Sequence, residues 1–511
     1  MSENTNKEIT SDLVKRDLKL SVLTSPATFI IPILSYIFLY PIILSRSSIV
    51  VLGIWSLYVT TASFFTVADL GFSQHFMREA GRDRDKGTLR LLKEELATAN
   101  RFYFFIGLSG LIFVFLLRDI LFNPVANIYS PAGLLFSALV LIAGTTLLLI
   151  SSLNGAILSA RADNYYVKLI RSVSPVFTYT FAIIGALIKL PIEGFAAGTL
   201  LANSFLVLVY RNRIKKRHND WHSIQISLSV SQTKERLKDL LKKGWKLYSV
   251  SVGMIIRQPI LRYVIAFSIG LPAAGVFDIA IRITATSRDV IASGFGSLYP
   301  SLSFFFRNNE RNKILEVMRT SLMLLIPIGV VVAVILIFNS GFIYRLWLKS
   351  IPAGVIIATG ILAVWQLMTI ANIPFWYLLQ AAHLEKVAAI AIWAHTFFIL
   401  LLIPISLIRI NLALNEILIY WTITAVITQC LIYVSAERKL AMFWEVFRKN
   451  QIILVLVLST IYILLGIVLQ NYMRSFVSPE IITLVLTIIF ILILVPIYLP
   501  ILKRNLSLKN L

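Results

Sequence analysis

What most constrains this chain is a succession of apolar stretches, each close to the length that crosses a lipid bilayer. A hydrocarbon core of about 30 Å needs about 20 helical residues. Cut at charge clusters, runs of that length fall near Val22 to Leu44, Ile49 to Ala68, Phe102 to Leu117, Pro131 to Leu158, Ser172 to Ile188, Gly194 to Tyr210, Leu247 to Ser268, Ala274 to Tyr299, Thr320 to Gly341, Ala353 to Gln380, Val387 to Leu407, Ile417 to Val434, Ile452 to Leu469 and Ile481 to Leu499. What remains between them holds no soluble domain of any size. The expected fold class is an all-α polytopic membrane protein with about 14 transmembrane helices. Composition agrees: with 58% hydrophobic and 14% charged residues, polar side chains are too few to coat several globular domains. The single cysteine, Cys430, excludes an internal disulfide.

Charge needs a separate account, because 48 Lys and Arg against 25 Asp and Glu leave a net +23. In a soluble chain that balance would suggest a nucleic-acid partner. With the N-terminus placed in the cytoplasm, 37 of the 48 basic residues fall in cytoplasmic segments. The opposite loops hold seven: Arg46, Arg118, Lys189, Arg345, Lys349, Arg409 and Arg474. The positive-inside bias therefore sets the orientation, with both termini cytoplasmic and no nucleic acid implied. No cleavable signal is expected, since the polar first twenty residues lead into a full-length span. The last four basic residues, Arg257, Arg262, Arg282 and Arg288, lie inside the seventh and eighth spans.

The cytoplasmic segment 211–246 holds 11 Lys and Arg against Asp220, Glu235 and Asp239. Its second half places Leu237, Leu240 and Leu241 on one face of an interfacial helix. Two readings stand for it: a linker resting on anionic lipid headgroups, or a dock for a cytoplasmic partner.

Six spans on either side of that segment invite a search for a duplication. Gly53-Ile54-Trp55 matches Gly275-Val276-Phe277 at an offset of 222, and Leu158-Ser159-Ala160 matches Leu379-Gln380-Ala381 at 221. Val207-Leu208-Val209-Tyr210 matches Cys430-Leu431-Ile432-Tyr433 at 223. Blocks with an even number of spans enter the membrane in the same direction, so the repeat is parallel, as in transporters that work by rocking two lobes. The expected domains are an N-terminal six-helix lobe at 1–210, the basic linker at 211–246, a second six-helix lobe at 247–434, and an appended hairpin with a cytoplasmic tail at 435–511.

Polar residues inside the spans are the candidate functional groups. An arginine facing lipid at mid-depth costs at least about 2.5 to 3.5 kcal/mol, so the four arginines are expected to turn inward, toward water, carboxylates or an anionic ligand. Asp278, Arg282 and Asp289 share one face of the eighth span, extended by Ser293, and Arg257 and Arg262 are placed to face the same space. Asp278 with Arg282 reads equally as an i, i+4 ion pair, and Arg288 and Asp289 lie where a long side chain can snorkel. Substrate-facing roles are assigned to Arg257, Arg262, Arg282 and Arg288. On the second span Ser63, Thr66, Asp69 and Ser73 form a polar stripe, with Asp69 either a helix-end residue or a gating group. Asp69, Asp278 and Asp289 are the ion-coupling candidates. Asn154, Asn203, Gln366, Asn372 and Gln380 are expected to bond between helices, and His395 to be packed. No Walker A loop, no Cys/His ligand set and no paired carboxylates on a long outer loop are present. The expectation is no catalysis, metal or cofactor, with H+ or Na+ as the coupling ion.

Gly53-Ile54-Trp55-Ser56, then Asp69-Leu70-Gly71-Phe72, then Arg78 and the basic loop to Lys93 resemble the early signature of a known family. It is that of the bacterial polysaccharide flippases, the Wzx-type members of the multidrug/oligosaccharidyl-lipid/polysaccharide exporter superfamily. Ala160-Arg161 with Tyr165 is similar to that family as well, whereas the terminal hairpin departs from its twelve-helix members and is similar to the lipid II flippases. The resemblance implies a V-shaped exporter-like fold in the bacterial plasma membrane. It implies movement of an undecaprenyl-diphosphate-linked oligosaccharide, such as an O-antigen unit of lipopolysaccharide, from the inner to the outer leaflet. Partners would be that lipid-linked substrate, membrane lipids and a polysaccharide polymerase with its chain-length machinery. The alternatives are a multidrug or organic-ion antiporter of the same superfamily and a lipid II-type flippase. A membrane glycosyltransferase or polymerase fits less well, because the outer loops are short.

Overall fold

The computed structural model describes residues 20, 24, 27–80, 86–119, 126–217, 229–295, 298–408, 412–447, 450–473 and 478–507. Its first helices are α1 (Ala27–Arg46), α2 (Ile49–Val67), α3 (Phe72–Glu79), α4 (Lys86–Leu116), α5 (Pro131–Ala160), α6 (Asn164–Leu187), α7 (Pro191–Arg217), α8 (Val230–Ser268) and α9 (Leu271–Ser293). They are followed by α10 (Leu298–Arg307), α11 (Arg311–Leu348), α12 (Val355–Ala381), α13 (Glu385–Leu400), α14 (Leu402–Ile408), α15 (Leu414–Leu440), α16 (Phe443–Phe447), α17 (Asn450–Met473) and α18 (Pro479–Ser507). Among the described residues nine segments are long and apolar enough to cross a membrane, and α1, α17 and α18 supply three shorter apolar ones. The two expected crossings outside both groups are α8 and α9, the helices that carry the four intramembrane arginines.

Two boundaries differ from the sequence reading. The eighth span stops at Ser293 instead of Tyr299: Gly294 caps α9, and the chain restarts as the short α10. That helix buries Leu302 completely while leaving Phe304 60% exposed, so it is amphipathic, with one face on the protein. The linker's second half and the seventh span are one continuous helix, α8, of 39 residues. Ser229 and Gln232 open it as a capping box, the Gln232 N–H donating to Ser229 Oγ at 3.3 Å and the Ser229 N–H to Gln232 Oε1 at 3.0 Å.

That outer part of α8 does not stand free as a linker. Leu240 is fully buried in a cluster with Phe72, Phe76, Leu92 and Tyr103, and Leu237 packs against it. Arg236 pairs with Glu94 at 3.2 Å, and Arg101 donates to Thr233 at 2.7 Å. Leu241 stays exposed. The face expected to meet lipid headgroups or a partner is thus largely taken up by the protein itself.

By contacts the chain forms two compact units, Met1–Tyr263 and Val264–Leu511. The first unit holds most of α8, although by sequence that helix opens the second repeat. In the second unit the terminal hairpin packs on α11: Tyr462 and Phe490 stack at 4.4 Å, Thr483 donates to Asn339 at 3.3 Å, and Tyr462, Ile482 and Leu486 join the cluster around Met323 and Val330.

Three pairs of helix starts reproduce the offsets of the duplication. Ile49 of α2 and Leu271 of α9 lie 222 apart, Asn164 of α6 and Glu385 of α13 lie 221 apart, and Pro191 of α7 and Leu414 of α15 lie 223 apart. The turn after the fourth span is also repeated. Ala162 has φ 60° and His383 has φ 56°, and each sits under a bond from the next N–H back to the helix: Asp163 to Leu158 O at 3.0 Å and Leu384 to Leu379 O at 2.8 Å. This is a Schellman closure, in which a left-handed residue lets the chain turn back on the last carbonyls. Both halves use a residue with a Cβ there.

Candidate functional site

In the first unit α8 carries Arg262, which is 7% exposed. Its Nη1 donates to Thr60 Oγ1 of α2 at 3.4 Å, and the Thr60 hydroxyl in turn donates to Ser56 O at 2.7 Å. The next residue, Tyr263, shares a 2.7 Å hydrogen bond with the Thr61 hydroxyl and lies against Phe64 with ring centroids 5.8 Å apart. Two consecutive residues of α8 are therefore gripped by two consecutive residues of α2. This grip follows Pro259, which removes one backbone donor from the helix. Arg257 lies before the proline and is half-buried. At about 100° per residue it points about 140° away from Arg262, so the two arginines do not share a face.

The second unit holds the other two arginines in separate pairs. Asp278 is fully buried on α9, with Arg282 Nη2 at 3.8 Å from its Oδ1. Arg288 donates to its neighbour Asp289 from Nε and Nη2, at 2.9 and 2.6 Å. Helical register leaves Asp278, Arg282 and Asp289 on one side of α9, but their surroundings differ: the Asp289 carboxylate is 48% exposed and that of Asp278 is 0% exposed. Ser293 bonds back to Val290 O at 2.7 Å.

Asp69 lies beyond the end of α2, in a turn made possible by positive φ at Leu70 and Gly71. Its Oδ1 accepts from Tyr103 Oη at 2.5 Å, Ser73 Oγ at 2.8 Å and the Ser73 N–H at 3.3 Å. Ser73 continues to Ser152 at 2.9 Å. Burial pushes the Asp69 carboxyl above its ordinary value, while these hydrogen bonds and the charge of Arg171 pull it down. In the rest of the expected stripe, Ser63 donates to Val59 O and Thr66 to Ser63 O of their own helix. Asn203 does bond between helices, donating to Gly144 O at 3.0 Å. His395 packs on Trp421 at 5.0 Å, with Nε2 3.3 Å from that residue's carbonyl.

Two groups escape the sequence reading. Asp163, 0% exposed, receives Arg213 through both carboxylate oxygens at 3.1 Å and also pairs with Arg217. Arg213 lies over the Tyr166 ring at 4.6 Å. His75 meets Glu95 at 2.9 Å, both largely buried. Each pair joins different helices or turns, and for Asp163 the repeat gives a hint: Leu384 stands where Asp163 does, which marks Asp163 as a departure. Among the described residues no group of three His, Cys, Asp or Glu is arranged to hold a metal ion.

The sequence profile described as "Polysaccharide biosynthesis protein" matches residues 43–352. The chain belongs to the polysaccharide biosynthesis protein family. The matched region contains all four intramembrane arginines together with Asp69, Asp278 and Asp289, and stops before the terminal hairpin. Its fold is that of solved transporters. The lipid II flippase MurJ in an inward closed conformation superposes with a TM-score of 0.66 at 15% identity, over 95% of this chain and 100% of that one. An inward-facing multidrug resistance MATE family transporter of the MOP superfamily gives 0.59 at 16% identity, over 83% and 95%. No curated protein sequence matches the chain. At such identities the two structures speak to fold alone, and that fold is the multi-helix membrane architecture expected from the apolar runs.

Proposed function

We propose that this member of the family is a flippase that carries an oligosaccharide linked to undecaprenyl diphosphate from the cytoplasmic to the outer leaflet of a bacterial plasma membrane. Both termini would be cytoplasmic and the two repeats would alternate access. The observation that carries this reading is that two arginines, Arg257 and Arg262, lie in the expected seventh span of a polysaccharide biosynthesis protein. A diphosphate and its sugars cannot enter hydrocarbon without replacement of their lost hydration. Guanidinium groups replace it with charge-assisted hydrogen bonds, and a cation kept at that depth is otherwise costly. The polyprenyl tail needs no such help and stays in lipid. That a MOP-fold neighbour is itself a lipid II flippase supports the same class of cargo.

Direction needs a coupled event, since electrostatic capture alone gives none. A proton or sodium ion acting at Asp69, Asp278 or Asp289 would supply it, and Asp69 suits proton exchange because burial raises its carboxyl. The delivered repeat unit would pass to a polysaccharide polymerase with its chain-length machinery. Arg257→Ala is expected to abolish surface polysaccharide, with protein inserted at the normal level and the lipid-linked oligosaccharide accumulating on the cytoplasmic leaflet. Normal polymer in that variant overturns Arg257 as a headgroup ligand.

A further inference from the structure

The duplication supplies an internal comparison for the arginine sites. The offset of 222 that relates the starts of α2 and α9 also takes Gly53 to Gly275, Trp55 to Phe277, Ser56 to Asp278 and Thr60 to Arg282. Trp55 and Phe277 are both fully buried, as are Ser56, Thr60 and Asp278, so these are matching positions in environment as well as in sequence. In the second unit, the guanidinium at the Thr60 position stands 3.8 Å from a carboxylate at the Ser56 position. In the first unit both positions are hydroxyls, and the guanidinium arrives from α8 as Arg262.

The two hydroxyls are not alike. Thr60 gives its proton to Ser56 O and accepts from Arg262, so it fixes the guanidinium. Ser56 Oγ is buried and has no hydrogen-bond partner among the described residues. A hydroxyl left unbonded in an apolar span is unfavourable, and it is the group an incoming oxyanion would satisfy. We propose that Ser56 and Arg262, with Thr60 as a positioning residue, form an oxyanion site for a phosphate oxygen of the substrate, where the second unit supplies the Asp278 carboxylate instead. The proposal rests on the flippase reading and deepens it. It assigns Arg282 to an internal pair and Arg262 to cargo.

The test is calorimetric titration of the purified full-length protein in detergent with geranylgeranyl diphosphate, geranylgeraniol and inorganic pyrophosphate. The wild type is expected to bind the diphosphate lipid and not the alcohol. Pyrophosphate that competes identifies the diphosphate as the recognised group; a diphosphate lipid that binds where pyrophosphate does not compete assigns the site to a lipid headgroup. Equal binding of the alcohol overturns an oxyanion site. Ser56→Asp builds the α9 arrangement into α2 and is expected to weaken binding at least about tenfold, and Ser56→Ala about fivefold, each about 1 kcal/mol or more by the affinity scale. Elution and helix content as in the wild type check that these variants fold. If Ser56→Asp does not fold, Ser56→Ala decides. Wild-type affinity in either folded variant overturns the site. If Arg257→Ala loses binding while both Ser56 variants keep it, this inference falls and the flippase reading stands; if the wild type binds no diphosphate lipid, both fall.

Discussion

Asp163 offers a stability experiment whose magnitudes come directly from its surroundings. The carboxylate is 0% exposed, whereas Arg213 is 27% and Arg217 is 37% exposed. Removing one partner of a buried pair is most costly when the survivor is the buried one, at about 3 to 5 kcal/mol. Arg213→Ala strips the partner that reaches both oxygens and leaves Oδ2 without its hydrogen bond, so a loss of about 3 kcal/mol is expected. Arg217→Ala leaves the Arg213 fork in place and removes an ion pair whose cation is more than a third exposed, so about 1 kcal/mol is expected. Asp163→Ala falls between them at about 2 kcal/mol, because both guanidinium groups then reach water. The second repeat shows an apolar solution at the same turn, where Leu384 packs against the Phe375 and Leu378 cluster. The double change Asp163→Leu with Arg213→Ala should therefore recover part of the loss of Arg213→Ala. Unfolding by SDS titration in mixed micelles reads all four differences. A cost for Arg217→Ala equal to or above that for Arg213→Ala would refute the reasoning, since it would mean that the bidentate geometry does not set the energy.

Three further outcomes follow from packing. A Cβ added at Gly194 would lie 2.3 Å from Phe181 O, and one at Gly198 would lie 2.8 Å from Thr178 O; Gly194→Val should thus separate α6 from α7 and lower the yield of inserted, monodisperse protein by size-exclusion chromatography. Leu240→Ala should cost about 2 to 3 kcal/mol and loosen the outer part of α8, read as faster limited proteolysis near Thr233. Ala162→Gly, which relieves a left-handed residue, should raise thermal stability by about 0.5 to 1 kcal/mol, and an unchanged or lower melting temperature would count against strain at that turn.

Much of the architecture was open to reading before any contact was known. Span lengths depend only on the thickness of hydrocarbon and the helical rise. The duplication was visible as three short matches because equal helices need equal lengths of chain, and three pairs of helix starts keep the same offsets. What the sequence misplaced was continuity: nothing in the composition of 230–246 says that it extends the seventh span as one helix, because that depends on Leu240 finding a cluster already built by α3, α4 and α5. The one-face reading of Asp278, Arg282 and Asp289 was correct as register and incomplete as environment, since Arg288 is free to turn onto its own neighbour.

By itself, then, the sequence determined that the chain is a multi-pass membrane protein and that it is built twice, both of them properties of spacing along one dimension. Tertiary structure alone decided which charged and polar groups meet across helices. Arg262 and Thr60 are 202 residues apart, and Arg213 and Asp163 are 50 apart. Partners at such separations are chosen by how helices pack around a shared apolar core, where a polar group must take the hydrogen bond that packing brings within reach.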